Sequence, residues 1–150
     1  ALLEAGKPQE SKMSQTDITG SCLCGKVSYQ LSGNSGVFQY CYCSRCRKFS
    51  GSAHAANLIV SPEQFKWLSG EDHVGRFEHP DAKHFATSFC KNCGSSLPWL
   101  GKSRKAVVVP AGTLDVDPGI RPSQNIFWGS RAEWYQEAAD LVKHDELPAR

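Results

Sequence analysis

Apolar and polar residues alternate over short stretches along this chain, and glycine or proline breaks the pattern every few residues. Residues 26–31 set Val27, Tyr29 and Leu31 against Lys26, Ser28 and Gln30, the period of two expected of a strand with one buried face. Gly33, Asn34, Ser35 and Gly36 then predict a turn, and residues 37–42 a second strand, so that the two are expected to form a hairpin. Residues 44–52, SRCRKFSGS, are polar and basic and read as a loop or a short helical turn with no room for a core face. An extended pattern returns over residues 53–60. Ser61, Pro62 and Glu63 stand in the order that opens a helix, to which Gly70 allows barely two turns. Further strands are predicted over residues 74–78, 84–89, 106–110 and 124–128. Residues 131–144, with Trp134, Ala138, Leu141 and Val142 at helical spacing, are the one stretch that could form a longer helix. Many short strands with Gly and Pro punctuation make this a mainly β chain of antiparallel sheets.

Length and composition narrow the picture. With 150 residues, 40% hydrophobic and 21% charged, the chain fits a single globular domain. No apolar run approaches the roughly 20 residues of a membrane span. The opening ALLEAGKPQESK lacks the pattern of a signal peptide, and residues 1–16 are expected to be a disordered tail or a remnant outside the fold, leaving 17–150 as the domain. A reducing setting, the cytoplasm, is the expected location.

The seven cysteines change the picture most. They fall as Cys22-x-Cys24, Cys41-x-Cys43-x-x-Cys46 and Cys90-x-x-Cys93. Thiols one or two residues apart are strained as disulfides but converge readily on one tetrahedral ion, and their odd number argues against a disulfide framework. Cys24 and Cys93 are each followed by glycine, which allows the positive φ of a tight zinc knuckle, whereas Cys46 is followed by Arg47. The CxCG and CxxCG pairs are therefore two halves of a closed four-thiolate site, Cys22, Cys24, Cys90 and Cys93. Cys41, Cys43 and Cys46 remain, and three protein ligands with a free fourth position are the mark of a catalytic zinc. Two bound Zn2+ and seven thiolates would take the formal charge of +2 to about −1, which weakens any argument from basicity toward nucleic acid.

The three segments GSCLCGKVSYQLSG, QYCYCSRCRKFSGSAHAA and FATSFCKNCGSSLP together resemble the glutathione-dependent formaldehyde-activating enzyme (GFA, or CENP-V/GFA domain) family. That resemblance spans residues 20 to about 135 and implies the zinc-bearing β-tent of Mss4-like proteins. It implies a structural zinc on Cys22, Cys24, Cys90 and Cys93 and a catalytic zinc on Cys41, Cys43 and Cys46, the division already reached from the glycines.

Three thiolates make a weak Lewis acid but a good host for a fourth, soft thiolate. The expected reaction is addition of a thiol such as glutathione to formaldehyde or another small aldehyde, or cleavage of the adduct, and the class is carbon-sulfur lyase. Arg45, Arg47 and Lys48 stand beside the cluster, where they could hold the carboxylates of a glutathione-like co-substrate, or simply form a solvated loop. His54 could close the metal site, move a proton, or be an ordinary surface or core histidine. His73, His79 and His84 have no ligand spacing. Trp67, Trp99, Trp128 and Trp134 read as core or pocket wall. The competing function is a zinc-stabilised binding module for protein or nucleic acid without catalysis, marked by a fourth protein ligand on the second metal.

Overall fold

The computed structural model describes residues 17–33 and 36–149, and the N-terminal tail expected over residues 1–16 lies outside them. Eleven strands and one α-helix are found there: β1 (Asp17–Ser21), β2 (Ser28–Ser32), β3 (Val37–Cys41), α1 (Ser44–Ser50), β4 (Ala55–Val60), β5 (Phe65–Ser69), β6 (Val74–Glu78), β7 (Ala86–Cys90), β8 (Ser96–Leu97), β9 (Trp99–Leu100), β10 (Val107–Pro110) and β11 (Gln124–Ile126). They form three sheets, with strand orders β1-β2-β5, β11-β3-β4-β10-β9 and β6-β7-β8. All pairings are antiparallel except β11, which runs parallel to β3. The chain is a single mainly β domain, and no helix among the described residues is long and apolar enough to cross a membrane.

The main core lies between the first two sheets. Tyr29 and Leu31 of β2 point inward with Ile18 of β1 and meet Leu58 and Val60 of β4 and Val107 and Val109 of β10. Alternation explains the match, because only every second residue of each strand reaches this layer. Tyr29 is fully buried, and its hydroxyl is satisfied by Thr113 Oγ1 at 2.6 Å. Burial pushes its phenol pKa up. Gly20 lies against that ring, and any Cβ there would collide with it. A second core joins the first and third sheets, where Val27 and Leu97 pack with Cys22 and Cys90. A third packs Cys41, Cys43, Cys46 and Ala55 against Phe85 and Ile126. Cysteines thus supply part of two of the three cores.

Four local expectations give way to the structure. The strands expected over residues 26–31 and 37–42 exist but do not pair with each other: β2 lies between β1 and β5, and β3 lies between β4 and β11. A period of two shows that one face is buried, not which neighbour supplies the hydrogen bonds. Residues 44–52 include a true helix, and its Cys46 faces a core, contrary to the coreless loop expected there. The capping signals at Ser61 work as read, with Ser61 N–H donating to Gln64 Oε1 at 3.1 Å, but they open one 3-10 turn at Pro62–Gln64. The chain then becomes β5, whose Phe65 and Trp67 alternate into the interior. The helix expected over 131–144 is absent. Only a 3-10 turn at Ala138–Asp140 forms, and Trp134, Leu141 and Val142 are exposed. Helical spacing makes a stable helix only where another surface covers the apolar stripe, and this segment finds none.

Candidate metal centres

Two cysteine groups converge in space, each with its Sγ atoms within 4.8 Å of one another. One is Cys22, Cys24, Cys90 and Cys93, and the other is Cys41, Cys43 and Cys46, matching the division drawn from the glycines.

The four-cysteine group is assembled from two tight turns. Cys22 closes β1, and the chain doubles back so that Cys22 N–H donates to Val27 O at 3.0 Å and Gly25 N–H to Cys22 O at 3.0 Å. Gly25 has φ 78°, a conformation costly for any side chain. The partner turn repeats the design: Gly94 has φ 75° and donates to Cys90 O at 2.8 Å. Ser95, two residues after Cys93, ties the two turns together. Its Oγ accepts from Leu23 N–H at 2.9 Å and lies 3.2 Å from Cys93 Sγ. Sequence reasoning missed this serine, although it directly follows the second Cys-Gly pair and was visible there. Cys22 Sγ lies 3.6 Å from Cys24 Sγ, which is 3.8 Å from Cys90 Sγ. Four sulfurs at about 2.3 Å from a tetrahedral zinc are separated by about 3.8 Å, so this donor set fits the metal. Ser95, through its hydroxyl and backbone N–H, pulls the Cys93 pKa down to about 5, so a thiolate is favoured there.

The three-cysteine group sits where β3 runs into α1. Cys43 is the N-cap of that helix, and its Sγ accepts from Cys46 N–H at 3.4 Å. The C-x-x-C spacing thus sets the cap and the third helical residue side by side, the arrangement an N-cap ordinarily makes with an oxygen. Gly51, with φ 64°, ends the helix by donating to Arg47 O at 2.8 Å. Ser50 Oγ donates to Cys46 O at 2.7 Å, bracing the ligand-bearing turn. All three cysteines are buried. A hydrogen bond from Cys46 lowers the Cys41 pKa to about 6, against burial, with help from the Cys43 backbone N–H and the positive Arg45. The Cys46 thiol is pushed up by the same hydrogen bond and by burial. A cation bound by the three sulfurs would release their remaining thiol protons. Three soft sulfur donors fit zinc and offer no carboxylate or carbonyl oxygen that a hard cation would want.

Among the described residues no histidine or carboxylate joins these three sulfurs. His54, a candidate fourth ligand, stacks instead on Tyr40 at 4.2 Å and tilts against Tyr42 at 5.0 Å between ring centroids. Its neighbour Ala55 pairs with Cys41, so alternation turns Tyr40 and Tyr42 to the face opposite the sulfurs. The basic residues divide. Arg45 lies over the Phe85 ring at 5.5 Å, and Phe85 packs on the cysteine cluster, so this cation is held beside the sulfurs. Arg47 carries a buried Nε with no hydrogen-bond partner. Lys48 is exposed in the last turn. Of the tryptophans, Trp99 is buried and Trp67 is packed at two cores, while Trp128 meets Tyr42 edge-on at 4.9 Å. Trp134 is 69% exposed and walls nothing.

The two groups should differ in lability. A closed four-thiolate site has no free position for a competing ligand, whereas a three-thiolate site does. Dialysis against a mild chelator is expected to remove one zinc and leave one, as read by metal analysis. Equal loss of both, or of neither, would contradict the division into closed and open sites.

Comparison with known proteins extends this reading. A Halomonas elongata protein, provisionally named a glutathione-dependent formaldehyde-activating enzyme, is 27% identical over 118 residues, covering 73% of this chain and 72% of that one. A crystal structure of a Rhodobacter sphaeroides protein superposes with a TM-score of 0.52 at 23% identity, over 69% of this chain and 97% of that one, and so shares the fold. The model of the glutathione-dependent formaldehyde-activating enzymes matches residues 17–130, from β1 through every cysteine to the parallel strand β11. With most of its length accounted for in this way, the chain belongs to the glutathione-dependent formaldehyde-activating enzyme family.

Proposed function

We propose that this protein is a zinc-dependent carbon-sulfur lyase of the reducing cytoplasm that adds a thiol such as glutathione to formaldehyde or another small aldehyde, and cleaves the adduct. The observation that carries this reading is the contrast between the two cysteine groups: four sulfurs meet in one, and three buried sulfurs without a fourth His, Asp, Glu or Cys among the described residues meet in the other. A binding module that used both metals structurally would be expected to complete both sites with its own side chains. A zinc ion on Cys41, Cys43 and Cys46 would supply a fourth position suited to a soft sulfur ligand and favour its deprotonated form.

The chain's own residues do the rest. Cys43 and Cys46 are locked by the helix start, and Cys41 by pairing with Ala55, so the donor set is held before any ligand arrives. Burial of all three and the packing of Phe85 and Ile126 keep water from the sulfurs. Arg45, fixed over Phe85, brings positive charge to the thiolates. With Arg47 and Lys48 it would bind the carboxylates of glutathione, orienting that thiol toward the open position. In the addition a C–S bond forms as the carbonyl π bond breaks, and the former carbonyl oxygen takes up the proton that the thiol gave up. Cleavage is the reverse.

The test compares two thiols. The zinc-loaded protein is expected to accelerate adduct formation between glutathione and formaldehyde. Neutralising Arg45, Arg47 and Lys48 together should raise KM for glutathione about tenfold or more, with kcat little changed, and leave a small uncharged thiol unaffected. Equal losses with both thiols would assign these residues to the fold, and no acceleration across several aldehydes would overturn the lyase reading.

A further inference from the structure

One cavity among the described residues shares no lining residue with the three-cysteine cluster, while two of its lining residues, Trp67 and Val74, also pack against the core of the four-cysteine group. It encloses about 680 Å³, between the edge strands β5 and β6 and over β9 and β10, and no cysteine lines it. A volume of this size suits a small organic ligand. One wall is apolar: Phe65 and Trp67 meet edge-to-face at 4.8 Å, with Leu100 and Val107 beyond them. The other wall is the inner face of β6, where Val74, Arg76 and Glu78 alternate into the cavity.

Two polar side chains on that wall, Ser88 and Arg76, make no side-chain hydrogen bond among the described residues. Ser88 of β7 is 4% exposed and faces the cavity, and its hydroxyl makes no hydrogen bond among the described residues. That hydroxyl is free to donate to a ligand acceptor in the cavity. Arg76 is the direct cross-strand partner of Ser88, so the two side chains stand side by side on one face. Its guanidinium meets Glu78 only at 3.8 Å, too long for a hydrogen bond, and its fork remains open. At the rim, Arg104 is held at φ 62°, a conformation rare for arginine, and its side chain has no partner among the described residues. Lys66 and Lys102 add positive charge, which Glu71 and Glu78 only partly offset.

We propose that this cavity is a second ligand site, which takes a carboxylate carried on a flat apolar body: Arg76 and Ser88 grip the carboxylate, and Phe65 and Trp67 receive the body. The guanidinium donates two parallel N–H groups and the serine a third donor, the set a carboxylate accepts best. The aromatic pair sorts ligands by their flat face, and Arg104 and Lys66 draw the anion to the mouth. Because no cysteine contributes, the site is independent of the lyase reading.

Phenylacetate titrated into the zinc-loaded protein, followed by NMR, tests this. Saturable shifts are expected at the Trp67 indole N–H and the Ser88 amide, with phenylacetamide and acetate each binding about tenfold more weakly or worse. Arg76→Gln should weaken phenylacetate about tenfold and Ser88→Ala several-fold, both with wild-type melting. Should Arg76→Gln fail to fold, Ser88→Ala and the acid-against-amide comparison decide. Shifts confined to residues around Cys41, equal affinity for the amide, no saturation, or an unchanged affinity in these variants would each overturn the proposal.

Discussion

Replacing any one of Cys22, Cys24, Cys90 and Cys93 by Ser is expected to leave a chain without a cooperative melt. A structural zinc contributes on the order of 10 kcal/mol to folding, while a domain of this kind is stable by only about 5–15 kcal/mol in total. Loss of one ligand therefore removes a large share of the whole. The position of the group enlarges the effect, because Cys22 and Cys90 are core residues packed with Val27 and Leu97 where the first and third sheets join. Without the metal nothing of comparable strength holds β7 against the turn after β1. Thermal unfolding of the four zinc-loaded variants, followed by far-UV circular dichroism, checks this. A transition near the wild-type midpoint in each would remove the structural assignment.

Serine at Cys41, Cys43 or Cys46 should act differently. The folded domain should persist, since the main core of Tyr29, Leu31, Leu58 and Val109 and the four-cysteine group are untouched. Burying a hydroxyl in place of a thiol at these sites costs about 1–3 kcal/mol, a lowered midpoint rather than a lost fold. One zinc per chain should disappear, and thiol-aldehyde chemistry should fall to the uncatalysed rate. Cobalt makes the open position visible. Adding glutathione to the cobalt-loaded wild-type protein is expected to intensify the thiolate-to-metal absorption, because a fourth sulfur joins the three. A flat titration, with no acceleration for any aldehyde, would show the site closed and favour the binding module.

The sequence by itself determined much of this protein. Local spacing carries the information for the three-cysteine group and for each half of the four-cysteine group: a thiol two or three residues from another is brought to it by one turn of backbone, whatever the rest of the chain does, while the meeting of the two halves is a tertiary contact. Gly25 and Gly94 mark the two knuckles because only residues tolerant of positive φ can close so tight a loop. The strands over residues 74–78 and 106–110 were equally legible, since alternation survives wherever one face is buried. What required the tertiary structure was partnership. No local signal tells that β2 pairs with β1 and β5 while β3 turns away to β4, or that a three-residue strand near the end of the sheet returns parallel to β3. The same holds for failed helices: Phe65 and Trp67 found a layer to pack on and became a strand, and Trp134, Leu141 and Val142 found none and stayed exposed. Proximity across long stretches of chain also had to be seen, as with Phe85 beneath Arg45, His54 turned to the tyrosines, and Arg76 beside Ser88. Ligand sets written within one turn are set by bond geometry, but contacts between distant segments depend on which surfaces bury each other, and that is settled only when the whole chain packs.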